Sequence, residues 1–311
     1  MQLSLILQMQ NATQILMVRP AAFGYNKETA QSNGFQNNKG GDAALIQQQA
    51  TEEFDNMVDI LQRNGIAIHI EHDKAEPVKP DAIFPNNWIG FHPGGRVVLY
   101  PMLAQNRRWE RRAAIIQDLE KEHGYKINEL VDFTHLEKDG MFLEGTGSVV
   151  FDHENQMAYC SISPRSDARA FALLCKALGY EGLEFESFDG KGKPIYHTNV
   201  MLSIGSKWVV VCLDAITNHQ QVGKLLQSLI WTGKEIIKVT IAQMEAFCCN
   251  VLELKDADGR LVVVMSKTAY NAFTPDQLDV FEASGKIIAV DIPTIEQYGG
   301  GGVRCMIAEI F

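Results

Sequence analysis

The sequence has an excess of acidic over basic residues, and this excess argues against one large class of function. Its 28 Lys and Arg are outnumbered by 38 Asp and Glu, giving a net charge of −10. Binding to nucleic acid requires clustered positive charge, so we expect no nucleic-acid partner. The densest basic cluster, residues 107–112, opens a predicted helix that acidic residues dilute further on. We predict that this cluster is a solvated helix face.

Paired cysteines and long apolar runs are also missing. The six cysteines include no CxxC pair and have no zinc-ligand spacing. We therefore expect a reducing, cytoplasmic location, and neither a metal nor a cofactor. No run of residues is apolar for long enough to span a membrane. The apolar stretch Met1–Leu7 has no preceding cationic region, so we expect no signal peptide.

What the sequence does contain is one pattern repeated five times. Each repeat reads as an apolar strand, a turn, a β-branched strand, a helix and a short return strand. The repeats are predicted to begin at residues 15–20, 82–84, 147–151, 199–202 and 250–254. Their helices are predicted at residues 52–61, 107–123, 168–178, 220–229 and 275–283.

Five such units must pack against one another, because none can bury its apolar face alone. Closure into a ring leaves no terminal unit exposed, whereas an open α/β sheet covered on both faces permits the same alternation. The pattern by itself leaves both arrangements open. No Pro/Gly/Ser linker divides the chain, so we predict a single catalytic domain over residues 1–311.

Four stretches carry residues suited to chemistry. Cys305 follows the glycine run 299–302 and adjoins Arg304, whose charge favours the reactive thiolate. His197 lies where a polar loop enters an apolar strand, a setting typical of a general acid or base. Glu144 is flanked by apolar and small residues, and Asp81 opens the polar stretch 81–88. Each residue alone also fits an ordinary structural role.

The order of these stretches adds to their meaning. Each falls at the beginning of a different repeat, or at the closing end of the last. In a ring, equivalent strand starts meet around the central axis, so the residues would share one pocket. Four other histidines lie in charged stretches and are predicted to be on the surface: His72, His123, His135 and His153.

Together these motifs resemble the pentein superfamily of guanidino-group-modifying enzymes, which includes arginine deiminases, dimethylarginine hydrolases and amidinotransferases. The similarity runs from Val18 to Cys305. It is strongest to the branch of citrulline-utilization hydrolases, at residues 17–20, 84–88 and 161–165. The resemblance implies an α/β fold, a five-bladed pseudo-fivefold propeller with its site on the axis.

The resemblance also implies roles for individual residues. Cys305 matches the nucleophile, His197 the general acid/base, and Glu144 the carboxylate that binds the reacting nitrogens. Arg165 falls where deiminases bind the substrate α-carboxylate, a natural bidentate pairing. Asp81 matches an acidic residue of the dimethylarginine hydrolases.

Two positions depart from the family pattern. Guanidinium-binding members have Asp where this chain has Asn87 and Asn199. Asn is neutral and offers both a donor and an acceptor, as a ureido group does, whereas guanidinium offers donors only. We therefore expect a hydrolase acting on a ureido or guanidino amino acid, with citrulline favoured and ornithine, ammonia and carbon dioxide as products.

Three alternatives stay open at this point. The first is an arginine deiminase or methylarginine hydrolase, the second an amidinotransferase, and the third a non-catalytic binding propeller. The sequence also leaves open the oligomeric state, a homo-oligomer included. It does not decide whether the polar loop 33–41 is a lid or a plain surface loop.

Overall fold

The computed structural model describes residues 10–121 and 124–311. The predictions for Met1–Leu7 and for His123 lie outside these residues. In chain order the strands are β1 (Gln14–Arg19), β2 (Ala67–His72), β3 (Ile89–His92), β4 (Arg96–Leu99), β5 (Glu129–Asp132), β6 (Val149–Asp152), β7 (Met157–Ser161), β8 (Glu181–Phe185), β9 (Leu202–Ile204), β10 (Trp208–Val211), β11 (Glu235–Lys238), β12 (Leu252–Lys255), β13 (Leu261–Ser266), β14 (Lys286–Val290) and β15 (Ala308–Ile310).

The helices connect these strands. The α-helices are α1 (Ala43–Arg63), α2 (Ala113–Lys121), α3 (Gly145–Ser148), α4 (Ala168–Leu178), α5 (His219–Trp231), α6 (Ile241–Glu245), α7 (Lys267–Ala272), α8 (Pro275–Ser284) and α9 (Pro293–Gly299). Short 3₁₀ helices occupy Pro85–Asn87, Asn106–Glu110, Thr134–Asp139, Thr198–Val200, Leu213–Ala215 and Val303–Met306.

Within the described ranges the strands form five three-stranded sheets with one shared design. The middle strand of each sheet pairs antiparallel with one neighbour and parallel with the other, as β4 does with β3 and β5. A parallel partner requires a crossover, because the chain must return to the same end of the sheet. Helices α1, α2, α4 and α5 make four of these crossovers, and α7 with α8 makes the fifth.

The ring is closed by the last strand of the chain. β15 pairs antiparallel with β1, with Gln14 opposite Ile310, and so supplies the first strand of the first sheet. The first strands of the sheets also lie against one another, β15 against β3 and β9 against both β6 and β12. They therefore surround the centre of the molecule, as expected for a propeller and not for an open sheet.

Helix α4 shows how local sequence places these elements. The Asp167 carboxylate accepts hydrogen bonds from the backbone N–H groups of Arg169 and Ala170, which caps the helix start. Gly179 ends the helix in the left-handed conformation, with φ 78°. Phe171 and Leu174 are buried on one face and pack in the core. The observed bounds equal those predicted from the sequence.

The second repeat differs from its prediction. Residues 82–84 form a turn, and the strand begins only at Ile89. The helix predicted over 107–123 is divided into a 3₁₀ helix that ends at Glu110 and α2, which begins at Ala113. The chain is extended at Arg111, whose guanidinium pairs with the Glu137 carboxylate. This pairing draws Arg111 away from the helical path.

Candidate functional site

Four of the predicted site residues lie in the turns that precede the first strands of the sheets, whereas Arg165 lies between β7 and α4. Asn87 ends the 3₁₀ helix before β3, and Asn199 lies in the one before β9. Glu144 caps α3 before β6, and Cys305 lies in the 3₁₀ helix before β15. These segments were predicted to be strand starts, but each is a single helical turn. The turn directs its side chains toward the axis.

Glu144 and His197 form a direct pair. The imidazole Nε2 of His197 lies 2.8 Å from Glu144 Oε2, and the other carboxylate oxygen accepts the backbone N–H of Leu103 at 3.1 Å. Glu144 is completely buried. Burial alone would raise its pKa, but Arg165, His197 and Arg107 together outweigh burial and lower the pKa to about 2. Glu144 is therefore ionised across the physiological range.

The imidazole of His197 is neutral at neutral pH. Burial lowers its pKa to about 4, although the hydrogen bond and charge of Glu144 act in the opposite direction. A neutral imidazole that donates from Nε2 leaves Nδ1 as its acceptor. Gly147 permits this placement, since a Cβ there would lie 2.7 Å from His197 Nδ1. The small residues after Glu144 thus leave room for other side chains of the site, such as His197, to pack against them.

Cys305 lies in a neutral setting. Its Sγ accepts hydrogen bonds from Asn199 Nδ2 at 3.5 Å and from Asn250 Nδ2 at 3.3 Å. Burial raises the pKa of the thiol, and the two amides and Arg304 offset this only in part. The raised pKa keeps the thiol protonated at neutral pH. The guanidinium of Arg304, adjacent in sequence, is turned toward Glu309 at 2.8 Å.

The two amides predicted to depart from the family pattern, Asn87 and Asn199, each have one buried polar atom without a partner. Asn87 Oδ1 accepts from Arg107 Nη1 at 2.7 Å, which leaves Asn87 Nδ2 free to donate. Asn199 Nδ2 donates to Cys305, which leaves Asn199 Oδ1 free to accept. One unpaired donor and one unpaired acceptor are thus available among the described residues at these two positions.

Asp81 and Arg165 contact the segment that follows β1. Asp81 Oδ2 accepts from Asn26 Nδ2 at 2.8 Å and from Thr29 Oγ1 at 3.0 Å, whereas Asp81 Oδ1 has no partner. Arg165 donates to Thr29 O and to Ser32 Oγ, both at 2.8 Å. Its guanidinium also lies over the Tyr196 ring, 4.9 Å from the centroid. This segment therefore covers the site.

The loop 33–41 divides into two parts. Asn33 is buried and donates to Gly299 O at 3.2 Å, and the Phe35 ring contacts those of Tyr196 and Phe247. Residues 37–41 are exposed. The cavity beneath measures only about 20 Å³, room for roughly one water molecule. Cys305 and His197 both line it, and an amino-acid substrate enters only if the cover moves.

Sequence reasoning missed Arg107, which we had assigned to a solvated helix face. Its side chain is only 2% exposed and lines the cavity. It donates to both oxygens of Glu110, at 2.8 and 2.9 Å, and lies 3.9 Å from Glu144 Oε2. Glu110, three residues further along the chain, and Asp81 draw it inward, and the local charge pattern did not show that this ion pair is buried.

His153 is a second correction. We predicted it to be on the surface, but it is 5% exposed and lies 2.6 Å from the Tyr180 hydroxyl through Nδ1. Phe151 stacks on its ring at 5.5 Å. Burial lowers its pKa well below the ordinary value. The neighbouring charges in sequence misled the prediction, because the ring packs across sheets.

Two further features bear on the chemistry. All six cysteines are free thiols. Over residues 10–121 and 124–311, no group of three or more His, Cys, Asp or Glu residues is arranged to hold a metal ion. No helix in the same ranges is long and apolar enough to cross a membrane.

Comparison with solved structures shows the fold. The chain aligns over 96% of its length with 97% of the N-terminal domain of ArgZ, an arginine dihydrolase from cyanobacteria, at a TM-score of 0.71 and 18% identity. It spans 40% of full-length ArgZ. With DDAH from Pseudomonas aeruginosa, the TM-score is 0.65 and the identity 13%, over 96% of this chain and all of that one. The predicted five-bladed α/β propeller is confirmed.

Comparison with family models identifies the sequence, although a comparison with curated proteins gave no match. Residues 19–311 match the model described as N,N dimethylarginine dimethylhydrolase, eukaryotic. This match confirms the predicted superfamily and enzyme class, a hydrolase of guanidino-type C–N bonds. The chain therefore belongs to the N,N-dimethylarginine dimethylhydrolase family, within the pentein superfamily of guanidino-group-modifying enzymes.

Proposed function

We propose that this protein hydrolyses the ureido group of citrulline with Cys305 as the nucleophile. The observation that carries the choice of substrate is the unpaired donor and acceptor at Asn87 Nδ2 and Asn199 Oδ1. A ureido group has N–H donors and a carbonyl acceptor, so it satisfies both atoms, whereas guanidinium satisfies only the acceptor. An unsatisfied buried donor costs on the order of 1–3 kcal/mol.

The charged side chains of the site suit the end of the substrate that carries the α-carboxylate and the α-ammonium. Glu110 neutralises Arg107, and Glu144 is paired with His197 and Arg165. Arg165 receives the α-carboxylate, and the unpaired Asp81 Oδ1 receives the α-ammonium. The site has three carboxylates, Glu110, Glu144 and Asp81, against the two guanidinium groups of Arg107 and Arg165, so charge balance does not select a neutral side chain over a guanidinium. The choice of citrulline therefore rests on the two unpaired amide atoms.

The reaction proceeds in two steps. The Cys305 thiol passes its proton to His197, and the thiolate attacks the ureido carbon while Glu144 orients the substrate nitrogens. The bond from that carbon to the ornithine nitrogen breaks, His197 protonates this nitrogen, and ornithine leaves a carbamoyl group on sulfur. His197 then takes a proton from water, whose oxygen attacks the same carbon. Carbamate departs, decomposing to ammonia and carbon dioxide, and the proton returns to the sulfur.

The solved relatives support this choice of chemistry. DDAH from Pseudomonas aeruginosa was crystallised with citrulline, and ArgZ, a dihydrolase, was captured with a covalent intermediate. ArgZ has been described as part of an ornithine–ammonia cycle. Both relatives share the propeller with this chain, which supports a substrate with the same amino-acid frame at the axis.

A second candidate is hydrolysis of arginine or a methylated arginine. It is favoured by the family match and by the unpaired carboxylate oxygen of Asp81, which offers a charge to a guanidinium. An amidinotransferase would require an amine acceptor in place of water. A reducing, cytoplasmic setting remains part of the proposal, in keeping with six free thiols.

A substrate panel tests the proposal. Citrulline, arginine and asymmetric dimethylarginine are incubated separately with the protein, and ornithine, citrulline and ammonia are quantified. Cys305→Ala serves as the matched control for contaminating activity. We expect ornithine from citrulline, lost in Cys305→Ala. Faster turnover of arginine or dimethylarginine than of citrulline would assign the second candidate, and no turnover of any compound would favour a binding propeller.

A further inference from the structure

A second amide lies against the sulfur of Cys305. Asn250 is 2% exposed and ends the turn that precedes β12. Its Nδ2 lies 3.3 Å from Cys305 Sγ, closer than Asn199 Nδ2 at 3.5 Å. Asn250 lies two residues before β12, as Asn87 lies two residues before β3, and Asn199 lies three residues before β9. Three of the five turns at the axis thus present an asparagine.

The orientation of the Asn250 amide is determined by its neighbours. Nδ2 also donates to the backbone oxygen of Asn199 at 3.2 Å. A carbonyl oxygen accepts only, so a flipped amide would bring two acceptors together. Both N–H groups are therefore used, one for the Asn199 backbone and one for the sulfur. The Oδ1 atom remains buried without a partner.

The surrounding backbone is adapted to this placement. A Cβ on Gly302 would lie 2.7 Å from Asn250 Oδ1, so only glycine fits there without displacement. Phe247, whose backbone oxygen accepts the N–H of Asn250 at 2.8 Å, has a φ of 64°. A left-handed aromatic residue is strained, and such strain is concentrated at functional sites.

The other groups around the sulfur are engaged elsewhere. Arg304 pairs with Glu309, His197 Nε2 faces Glu144, and the Tyr196 hydroxyl donates to Gly300 O at 2.7 Å. Within the described residues, the hydrogen bonds to Sγ come from the two amides. Neutral donors therefore face the charge that develops on sulfur.

We propose that Asn250 is a catalytic residue, whose amide N–H stabilises the thiolate of Cys305 during attack and again when sulfur departs in hydrolysis. This inference deepens the proposed function and rests on Cys305 being its nucleophile. The donor acts at an atom that gains and loses charge, so it favours the transition state more than the protonated ground state. The amide of Asn199 adds a second donor at the same atom.

The test is a pH titration of the resting enzyme without substrate. The ultraviolet thiolate absorbance of Cys305 is obtained by subtracting the spectrum of Cys305→Ala in each background. Asn250→Ala removes the donor, Asn250→Asp replaces it with an acceptor of the same shape, and Asn250→Ser keeps a smaller donor. Asn11→Ala is the matched control, since Asn11 is equally buried but donates to Glu253.

We expect Cys305 to titrate about one pH unit higher in Asn250→Ala, higher still in Asn250→Asp, and in between in Asn250→Ser. The Asn11→Ala profile should match the unmodified protein. In the same series, kcat on citrulline should fall about 10- to 100-fold in Asn250→Ala with little change in KM.

The outcomes separate the two proposals. If the titration of Cys305 is unshifted in Asn250→Ala, the role of Asn250 is contradicted. The same holds if Asn250→Ser and Asn250→Asp both leave the titration unshifted. Either result leaves the proposed function standing. A shifted titration with no turnover of citrulline supports Asn250 and contradicts the substrate. No titration of Cys305 in the unmodified protein contradicts the role of Asn250 at the thiolate, whereas the proposed function is then decided by the turnover of citrulline.

Discussion

The two halves of the site differ in how they handle charge. The charged half, made of Glu144, His197, Arg165, Arg107 and Asp81, holds buried ions that neutralise one another. The neutral half, made of Cys305, Asn199 and Asn250, has a thiol facing two amides. In the proposed mechanism the first half transfers protons and binds the zwitterionic end of the substrate. The second tolerates a transient negative charge without a permanent cation.

This difference explains why the thiol rests in its protonated form. Burial raises the pKa of Cys305, and no guanidinium is directed at the sulfur among the described residues. Burial also lowers the pKa of His197, so the imidazole is ready to receive a proton. In the proposed mechanism, attack then begins from a neutral thiol and a neutral imidazole, and charge separates only when a carbon is present to be attacked.

The largest expected effect comes from removing the sulfur of the neutral half. Cys305→Ala should reduce turnover of citrulline at least about a thousandfold, because no other group can form the covalent intermediate. Binding should persist, since the charged half remains intact. Steady-state rates and calorimetric titration with citrulline check both parts. Retention of full turnover would remove Cys305 from the mechanism.

The next largest effect breaks the charged half. Glu144→Gln removes the charge shared by His197, Arg165 and Arg107, and kcat should fall about 10²- to 10⁴-fold as proton transfer fails. Leaving cations buried without their partner should also lower the free energy of unfolding by about 3 kcal/mol. Rates and urea unfolding measure the two consequences. A variant that is destabilised but fully active would limit Glu144 to structure.

A third experiment introduces negative charge at the two amide positions, Asn87 and Asn199. In the double variant Asn87→Asp with Asn199→Asp, each carboxylate favours guanidinium and disfavours a carbonyl. The ratio of kcat/KM for citrulline to kcat/KM for arginine should fall about tenfold for each position. A ratio is used because any change in thiol reactivity affects both substrates. An unchanged ratio would mean that the amides do not select the substrate.

The smallest effect concerns stability at acid pH. The pKa of His197 is about 4 in the folded protein, below its ordinary value of 6.5, so the unfolded chain binds this proton more tightly. Its contribution is present above pH 6.5 and is lost as the pH falls toward 4. At about pH 5 the loss should be about 2 kcal/mol. Urea unfolding of His197→Asn should show a shallower dependence over this range; an identical slope would contradict the assignment.

The repeat in the sequence predicted the fold because each strand, turn and helix of the repeat has its own local pattern of apolar and polar residues. Helix α4 was predicted at its observed bounds, since Asp167 and Gly179 mark its ends. The closing strand β15 was missed, because Ala308–Ile310 is short and its partner β1 lies almost a full chain length away. Pairing at that distance leaves no local periodicity.

The site could be predicted from the sequence at positions where the residue type itself indicates a catalytic role. Cys305, His197 and Glu144 share the predicted region because ring closure joins the starts of the repeats. Arg107 was misplaced because the charged run around it was interpreted as solvated, whereas Glu110, Asn87 and Asp81 hold it in the interior. His153 was misplaced because His92 and Phe311, from other repeats, pack against its ring. Asn250 was overlooked, although Asn-Val occurs at 199–200 and again at 250–251, before β9 and before β12. Comparing the repeats position by position would have found it.

The most direct test is to trap the intermediate on the nucleophile. Citrulline is mixed with the protein, the reaction is stopped in acid within a turnover, and the cysteine-containing peptides are weighed by mass spectrometry. We predict a carbamoyl group on the peptide that contains Cys305, decreased in His197→Asn, which lacks the group that accepts the thiol proton and protonates the departing nitrogen. Turnover of citrulline with Cys305 unmodified at every time, or with the group on Cys249 instead, would contradict the account.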